Sequence, residues 1–307
     1  MAKKNSNLNA AREAKNNEFY TRLEDIENEL RNYKEHFKGK KIVCPCDESE
    51  WTNFCIHFNM NREVYGFKKL SCIGYRENRP AEVHTIEATD NGWEVRNEVL
   101  IGNGDFRNLD TQKIIEDGDV VVTNPPFSLF REFVDLLIKM DKKFLIIGSQ
   151  NAINYKEVFP LIRDNKMWLG YTNPSAFYDK QNDMAIKKFG NICWYTNLTI
   201  LKREEWLDTG IDFKYGTKKG WYQKYDNYDA INIDKVSQIP MDYEGVMGVP
   251  ITFLDKYNPK QFQIIGRLAS AGWNAEQIGI PKTWDNKEAR GVVNGKVVYS
   301  RILIKKK

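Results

Sequence analysis

The sequence predicts an α/β protein: a mostly parallel sheet flanked by helices. Three observations carry this. Short, continuous apolar runs alternate with amphipathic segments through the first half of the chain. Strands that are apolar throughout are buried on both faces, as in a parallel sheet whose crossovers are helices. The chemically unusual residues fall just after those runs, and ligands of open parallel sheets bind beyond the carboxyl ends of the strands.

Residues 1–16 are polar, carry Lys3, Lys4, Arg12 and Lys15, and read as a flexible arm. Residues 22–38 read as a helix, because Leu23, Ile26, Leu30, Tyr33 and Phe37 recur at spacings of three and four. Gly39 is its predicted stop. Lys41–Cys44 reads as the first strand, and 51–60 as a helix with Trp51, Phe54, Cys55 and Phe58 on one side. Lys69–Ile73, Val99–Ile101, Val120–Thr123 and Lys143–Gly148 supply the next four strands. Between the last two, Phe130, Phe133, Val134, Leu137 and Ile138 form the apolar face of a helix. Met167–Tyr171 and Ile192–Tyr195 read as further strands. Residues 202–245 have weak periodicity; there Trp206, Tyr215, Trp221, Tyr222, Tyr225 and Tyr228 interleave with Lys202, Arg203, Lys214, Lys218, Lys219 and Lys224. Gly248–Phe253, Phe262–Gly266 and Val297–Ile304 return to strand character, with Gly295 of “VNGK” in a hairpin turn.

With 307 residues, 41% of them hydrophobic, the chain can build one large domain or a domain plus a smaller module. Its 46 basic and 42 acidic residues leave a net charge of +4, which tolerates a nucleic-acid partner without requiring one. Five scattered cysteines, Cys44, Cys46, Cys55, Cys72 and Cys193, do not read as a disulfide framework. With three histidines and one Cys-Pro-Cys, no metal site is expected. No apolar run approaches the ~20 residues needed to span a bilayer, and the polar N-terminus lacks a signal core. The expectation is a cytoplasmic protein without a membrane partner.

The fourth strand runs into Asn124-Pro125-Pro126-Phe127. Two prolines cannot donate to a ladder, but they fix the backbone and so aim a carbonyl. An amide oxygen and a rigid carbonyl, placed on the two N–H bonds of an exocyclic amine, draw its lone pair out of the ring. That is preorganised hydrogen bonding aimed at charge developing on nitrogen. An adjacent aromatic ring can stack on a planar base, and a base reaches such a pocket by leaving the duplex. Alone, the same residues could cap a helix and end a strand.

The tetrapeptide resembles the NPPY/F motif of amino-methyltransferases. The ordered set “NNEFYTRLEDIENEL” (16–30), “CPCDESEWTNF” (44–54), “GNGDF” (102–106), “TNPPF” (123–127), “CWYTNL” (193–198), “GVPITFLDKYNP” (248–259) and “RILIK” (301–305) resembles the adenine-specific DNA methyltransferases of the EcoRI methylase kind over nearly the whole chain. The resemblance implies a Rossmann-like, S-adenosylmethionine-dependent methyltransferase fold at 17–200. It implies a target-recognition region at 201–307 whose last strands complete the catalytic sheet. It makes Asn124, Pro125, Pro126 and Phe127 catalytic, with Phe127 and one of Trp194 and Tyr195 stacking on the flipped adenine. Phe19, Tyr20, Thr21, Cys44, Pro45, Cys46, Asp47, Asp105, Phe106 and Asn124 would hold S-adenosyl-L-methionine. Residues 44–54 lack the usual glycines, a feature the EcoRI-like branch shares. Lys214, Lys218, Lys219 and Lys224 are candidate contacts to double-stranded DNA. The implied setting is restriction–modification or phage and host DNA protection, with a monomeric enzyme and a cognate endonuclease as a further partner. The alternatives are methylation of an RNA base or a protein glutamine, and a catalytically inactive DNA-binding relative.

Overall fold

A computed structural model describes residues 19–47, 52–174, 176–179, 185–268 and 290–307. The predicted arm at 1–16 and Trp51 lie outside the described residues. The chain forms two compact units, one of residues 1–159 with 167–199, the other of residues 160–166 with 200–307.

The strands of the first unit are β1 (Phe19–Thr21), β2 (Lys41–Cys44), β3 (Lys69–Ile73), β4 (Glu82–Thr89), β5 (Gly92–Val99), β6 (Val120–Thr123), β7 (Lys143–Ser149), β8 (Trp168–Leu169), β9 (Ala176–Asp179), β10 (Ala185–Lys188) and β11 (Ile192–Thr196). Eight of them form one sheet in the order β5-β4-β3-β2-β6-β7-β11-β8. Its centre, β3-β2-β6-β7, is parallel, and these are the apolar runs of the sequence. Both flanks are antiparallel. Of the predicted third strand at 99–101 only Val99 is strand, the last residue of β5, which pairs with β4 in a hairpin from Thr89↔Gly92 to Glu82↔Val99; Leu100 and Ile101 lie beyond it. Strands β1, β9 and β10 form a separate small antiparallel sheet.

The helix predicted at 22–38 is realised as Leu23–Leu30, a tight turn Arg31–Tyr33, and Lys34–Phe37, ended by Gly39 at φ +69°. Ile26, Leu30, Tyr33 and Phe37 are fully buried, each apolar side chain contributing about 1.5–3 kcal/mol. Helix Phe130–Lys139 buries Phe130, Phe133, Val134 and Leu137. Helix Asn53–Met60 packs Cys55 onto β3, where it is joined to Cys72 in a disulfide with Cα atoms 6.5 Å apart. The expectation that the five scattered cysteines form no disulfide framework missed this one bond: a scattered spacing hides a pair that the β2–helix–β3 crossover brings together. Among the described residues, no helix is long and apolar enough to cross a membrane.

The strands of the second unit are β12 (Gln223–Lys224), β13 (Ile231–Asn232), β14 (Met247–Val249), β15 (Phe262–Leu268), β16 (Val292–Val293), β17 (Lys296–Val297) and β18 (Arg301–Lys306). Five of them make a sheet in the order β12-β13-β14-β18-β15. The C-terminal strands therefore do not complete the eight-stranded sheet; β18 is taken up between β14 and β15. The predicted strand at 248–253 stops at Val249, because Pro250 has no N–H for the ladder, and Ile251–Lys256 is a 3-10 helix. Asn294 and Gly295 both have positive φ in the β16–β17 hairpin, as a two-residue primed turn requires.

Candidate functional site at the carboxyl ends of the parallel strands

From β2 the chain crosses to β3 on one side, while β6 pairs on the other side of β2. This reversal is a topological switch point, where the connections diverge and leave a crevice. Asp47 follows β2 and is buried. Its N–H donates to Ile73 O at the end of β3 at 2.8 Å, and its Oδ2 accepts from Thr123 Oγ1 at the end of β6 at 2.5 Å.

Asn124 comes next and is half-buried; Pro125 is buried, Pro126 exposed and Phe127 half-buried. Phe127–Leu129 forms a 3-10 turn, closed by Leu129 N–H donating to Pro126 O at 2.9 Å, and helix Phe130–Lys139 follows. Phe130 anchors the turn from below, lying on the bare backbone of Gly148 in β7 and 5.2 Å from the Tyr195 ring.

The 102–106 loop closes a third side. Gly104 sits at φ +80°, and a Cβ there would come within 2.5 Å of Gly74 O, so glycine lets the loop lie on the end of β3. Arg76 N–H donates to Asn103 O and Ala81 N–H to Gly102 O. Phe106 is buried edge-on against Phe133, centroids 4.9 Å apart. Asp105 accepts from Arg107 Nε at 2.9 Å, Arg107 Nη2 at 2.6 Å and the Arg107 N–H at 2.9 Å. These bonds hold its carboxyl below the usual range.

The sequence profile of the family “Adenine-specific methyltransferase EcoRI” matches residues 7–307 of this chain. The chain belongs to this family. It is 41% identical to Type II methyltransferase M.EcoRI of Escherichia coli, over 99% of this chain and 97% of that protein. It is 38% identical to Type II methyltransferase M.MgeORF184P of Mycoplasma genitalium, over 97% and 98%, and 36% identical to Type II methyltransferase M.MpnI of Mycoplasma pneumoniae, over 98% of each. No solved structure matches the chain.

Of the residues that the family resemblance singles out, the structure brings together Asp47, Asn124–Phe127 and Asp105–Phe106 around the ends of β3, β2 and β6. Cys44 and Pro45 are buried beneath them, burial pushing the Cys44 thiol well up, and Cys46 is half-buried. Phe19, Tyr20 and Thr21 form β1; Thr21 O accepts from Asn53 Nδ2 at 2.7 Å, which ties the strand to the helix that follows the β2 loop. Trp194 and Tyr195 alternate to opposite faces of the sheet. Trp194 meets Phe54 edge-on at 6.0 Å, while Tyr195 packs on Phe130 and donates to Ser149 O at 2.9 Å. Both are fully enclosed, which corrects the expectation that one ring of the pair faces a base. Lys214, Lys218, Lys219 and Lys224 belong to the second unit and are exposed.

Sequence reasoning missed Glu29. This fully buried carboxylate accepts from Tyr33 Oη, Tyr171 N–H, Thr172 N–H and Thr172 Oγ1 at 2.7–2.8 Å. Burial raises its pKa, and those donors oppose the shift. It fixes the segment that leads from β8 to β9, the partner of β1. Its position four residues before Tyr33 is the one signal the sequence offers.

Proposed function

We propose that this chain is a DNA methyltransferase that places a methyl group on N6 of an adenine within a specific double-stranded sequence, and that Asn124–Phe127 carry the transfer. The observation that carries the reading is the position of this tetrapeptide: it leaves β6 at the switch point, one side-chain hydrogen bond from the loop after β2. The relatives' type II names support a restriction–modification setting; a cognate endonuclease is the further partner this reading assigns, and a monomer suffices for it because each strand of a palindromic site can be methylated in a separate event.

S-adenosylmethionine, when bound, supplies an electrophilic methyl group on a sulfonium sulfur. The donor set suits that molecule, whose sulfonium and amino groups call for carboxylate and amide acceptors. Asp47 and Asp105 lie on two sides of the crevice, and a carboxylate paired with an arginine still has acceptor sites for an amino group. Phe19–Thr21, Cys44–Asp47, Asp105, Phe106 and Asn124 would hold it.

Asn124 Oδ1 and the Pro125 carbonyl would accept the two N–H bonds of the target amine. The Pro125 ring locks φ and Pro126 restricts the preceding ψ, so the direction of that carbonyl is set before substrate arrives. Both oxygens stabilise the positive charge that grows on nitrogen. No strong base is needed, because the methylated ammonium is acidic and loses its proton to water. The adenine must leave the duplex, and Phe127, half-buried where Trp194 and Tyr195 are fully buried, is the ring we assign to stack on it.

In the second unit, none of Lys214, Lys218, Lys219 and Lys224 has an acidic partner among the described residues, and Lys219 lies 5.4 Å from the Tyr215 ring. Exposed, unpaired cations of this kind suit phosphate contact, and we assign them to the DNA backbone. The test of the catalytic assignment is Asn124→Ala, which should lose at least about 100-fold in turnover while binding S-adenosylmethionine by calorimetry. Wild-type turnover in this variant would exclude the assignment.

A further inference from the structure

We infer that Thr123 is a positioning residue for methyl transfer, clamping the loop that follows β2 to the strand that carries Asn124. The inference rests on the reading that the switch-point crevice holds S-adenosylmethionine and the target amine.

Strand β6 pairs with β2 only as far as Val43↔Val121, whereas its pairing with β7 continues to Thr123↔Ile146. Beyond Val121 the two strands that flank the crevice have left the ladder. The Thr123 Oγ1 to Asp47 Oδ2 bond, 2.5 Å long, crosses that gap. Thr123 is fully buried and Asp47 nearly so, so the bond forms where water does not compete for either partner. On its far side Asp47 is pinned by its N–H to Ile73 O. One carboxylate residue therefore spans the ends of β3, β2 and β6, and the residue that completes the span precedes Asn124 in the chain. A valine at 123 would fit the space and lose the bond.

A bond that only satisfied a buried carboxylate would act on stability. A bond that sets the spacing between methyl donor and acceptor acts on turnover, where about 1 Å of misplacement costs on the order of 100-fold. The experiment compares wild type, Thr123→Val and Thr123→Ser for Kd of S-adenosylmethionine by calorimetry, for single-turnover methyl transfer at saturating cofactor and DNA, and for melting temperature. Thr123→Val should lower the transfer rate by about 10- to 100-fold, and Thr123→Ser, which keeps the hydroxyl, should restore most of it. Because Thr123→Val leaves the buried Asp47 carboxyl without this donor and could unfold the protein, a second pair, Asp47→Asn and Asp47→Asn/Thr123→Val, repeats the loss of the bond against a neutral amide, whose oxygen still accepts from Thr123 Oγ1 in the single variant. The same rate loss within this pair, at similar melting temperatures, supports the clamp. A wild-type rate in Thr123→Val, or a lowered melting temperature with an unchanged rate, overturns it. If wild type neither binds S-adenosylmethionine nor methylates DNA, the functional reading fails and the inference fails with it. If wild type does both and Thr123→Val matches it, the inference alone fails.

Discussion

Gly148→Ala tests whether the floor beneath the Phe127–Leu129 turn, at the end of the tetrapeptide we propose carries the transfer, sets its position. An alanine Cβ at 148 would lie 2.4, 2.8 and 3.0 Å from Cε2, Cζ and Cδ2 of Phe130. Ordinary contact begins at 3.4 Å, so the ring edge must retreat by about 1 Å. It has nowhere to go: Phe130 is 1% exposed, and Tyr195 behind it is fully buried and tied to Ser149 O. Overpacking of this kind costs about 1–3 kcal/mol. Phe130 is also the first residue after the Phe127–Leu129 turn, so the displacement passes to the motif, where about 1 Å is worth on the order of 100-fold in rate. Urea unfolding and single-turnover transfer measure the two effects. Shortening the ring in Gly148→Ala/Phe130→Leu should recover part of both, as expected for residues in contact. A Gly148→Ala protein with wild-type stability and rate would refute this account of the floor.

Three further outcomes follow from the same structure. Burial lowers the pKa of His57 from 6.5 to about 4. Its folded pKa lies below its unfolded one, so its contribution is complete above pH 6.5 and is lost as pH falls toward 4. At about 1.4 kcal/mol per unit the loss is on the order of 3 kcal/mol, and urea melts across this window should show it in wild type but not in His57→Gln. Phe127→Ala should reduce methyl transfer by about tenfold, the stacking of one base being worth ~1–3 kcal/mol, and leave the melting temperature nearly unchanged because Phe127 is only half-buried; a core-sized drop in stability would mark it as packing. Replacing Lys214, Lys218, Lys219 and Lys224 by alanine should flatten the salt dependence of DNA binding by about 3–4 in slope, and an unchanged slope would place the phosphate contacts elsewhere.

The centre of the fold is legible in the sequence because its physics is local. Ile42–Cys44, Val120–Thr123 and Phe144–Gly148 are buried residue after residue and appear as nearly unbroken apolar runs. The Asn124–Phe127 tetrapeptide is legible for a similar reason, since two prolines after a buried strand have few structural uses. The β4–β5 hairpin was overlooked because β5 is an exposed edge strand whose charged residues blur the alternation, although Asn91-Gly92 marks its turn. The burial of Glu29 depends on a segment some 140 residues later in the chain, and no helical pattern reveals that. Trp194 and Tyr195 show the opposite failure: motif position suggested a base contact, but Phe54 and Phe130 fill the space around them.

The measurement that bears most directly on the central claim is methyl transfer from labelled S-adenosylmethionine to unmethylated genomic DNA, with RNA and a protein extract in parallel, followed by nucleoside analysis. The account predicts label in N6-methyladenine from the DNA, abolished by Asn124→Ala. Label in RNA or protein, or none in any of the three, would contradict it.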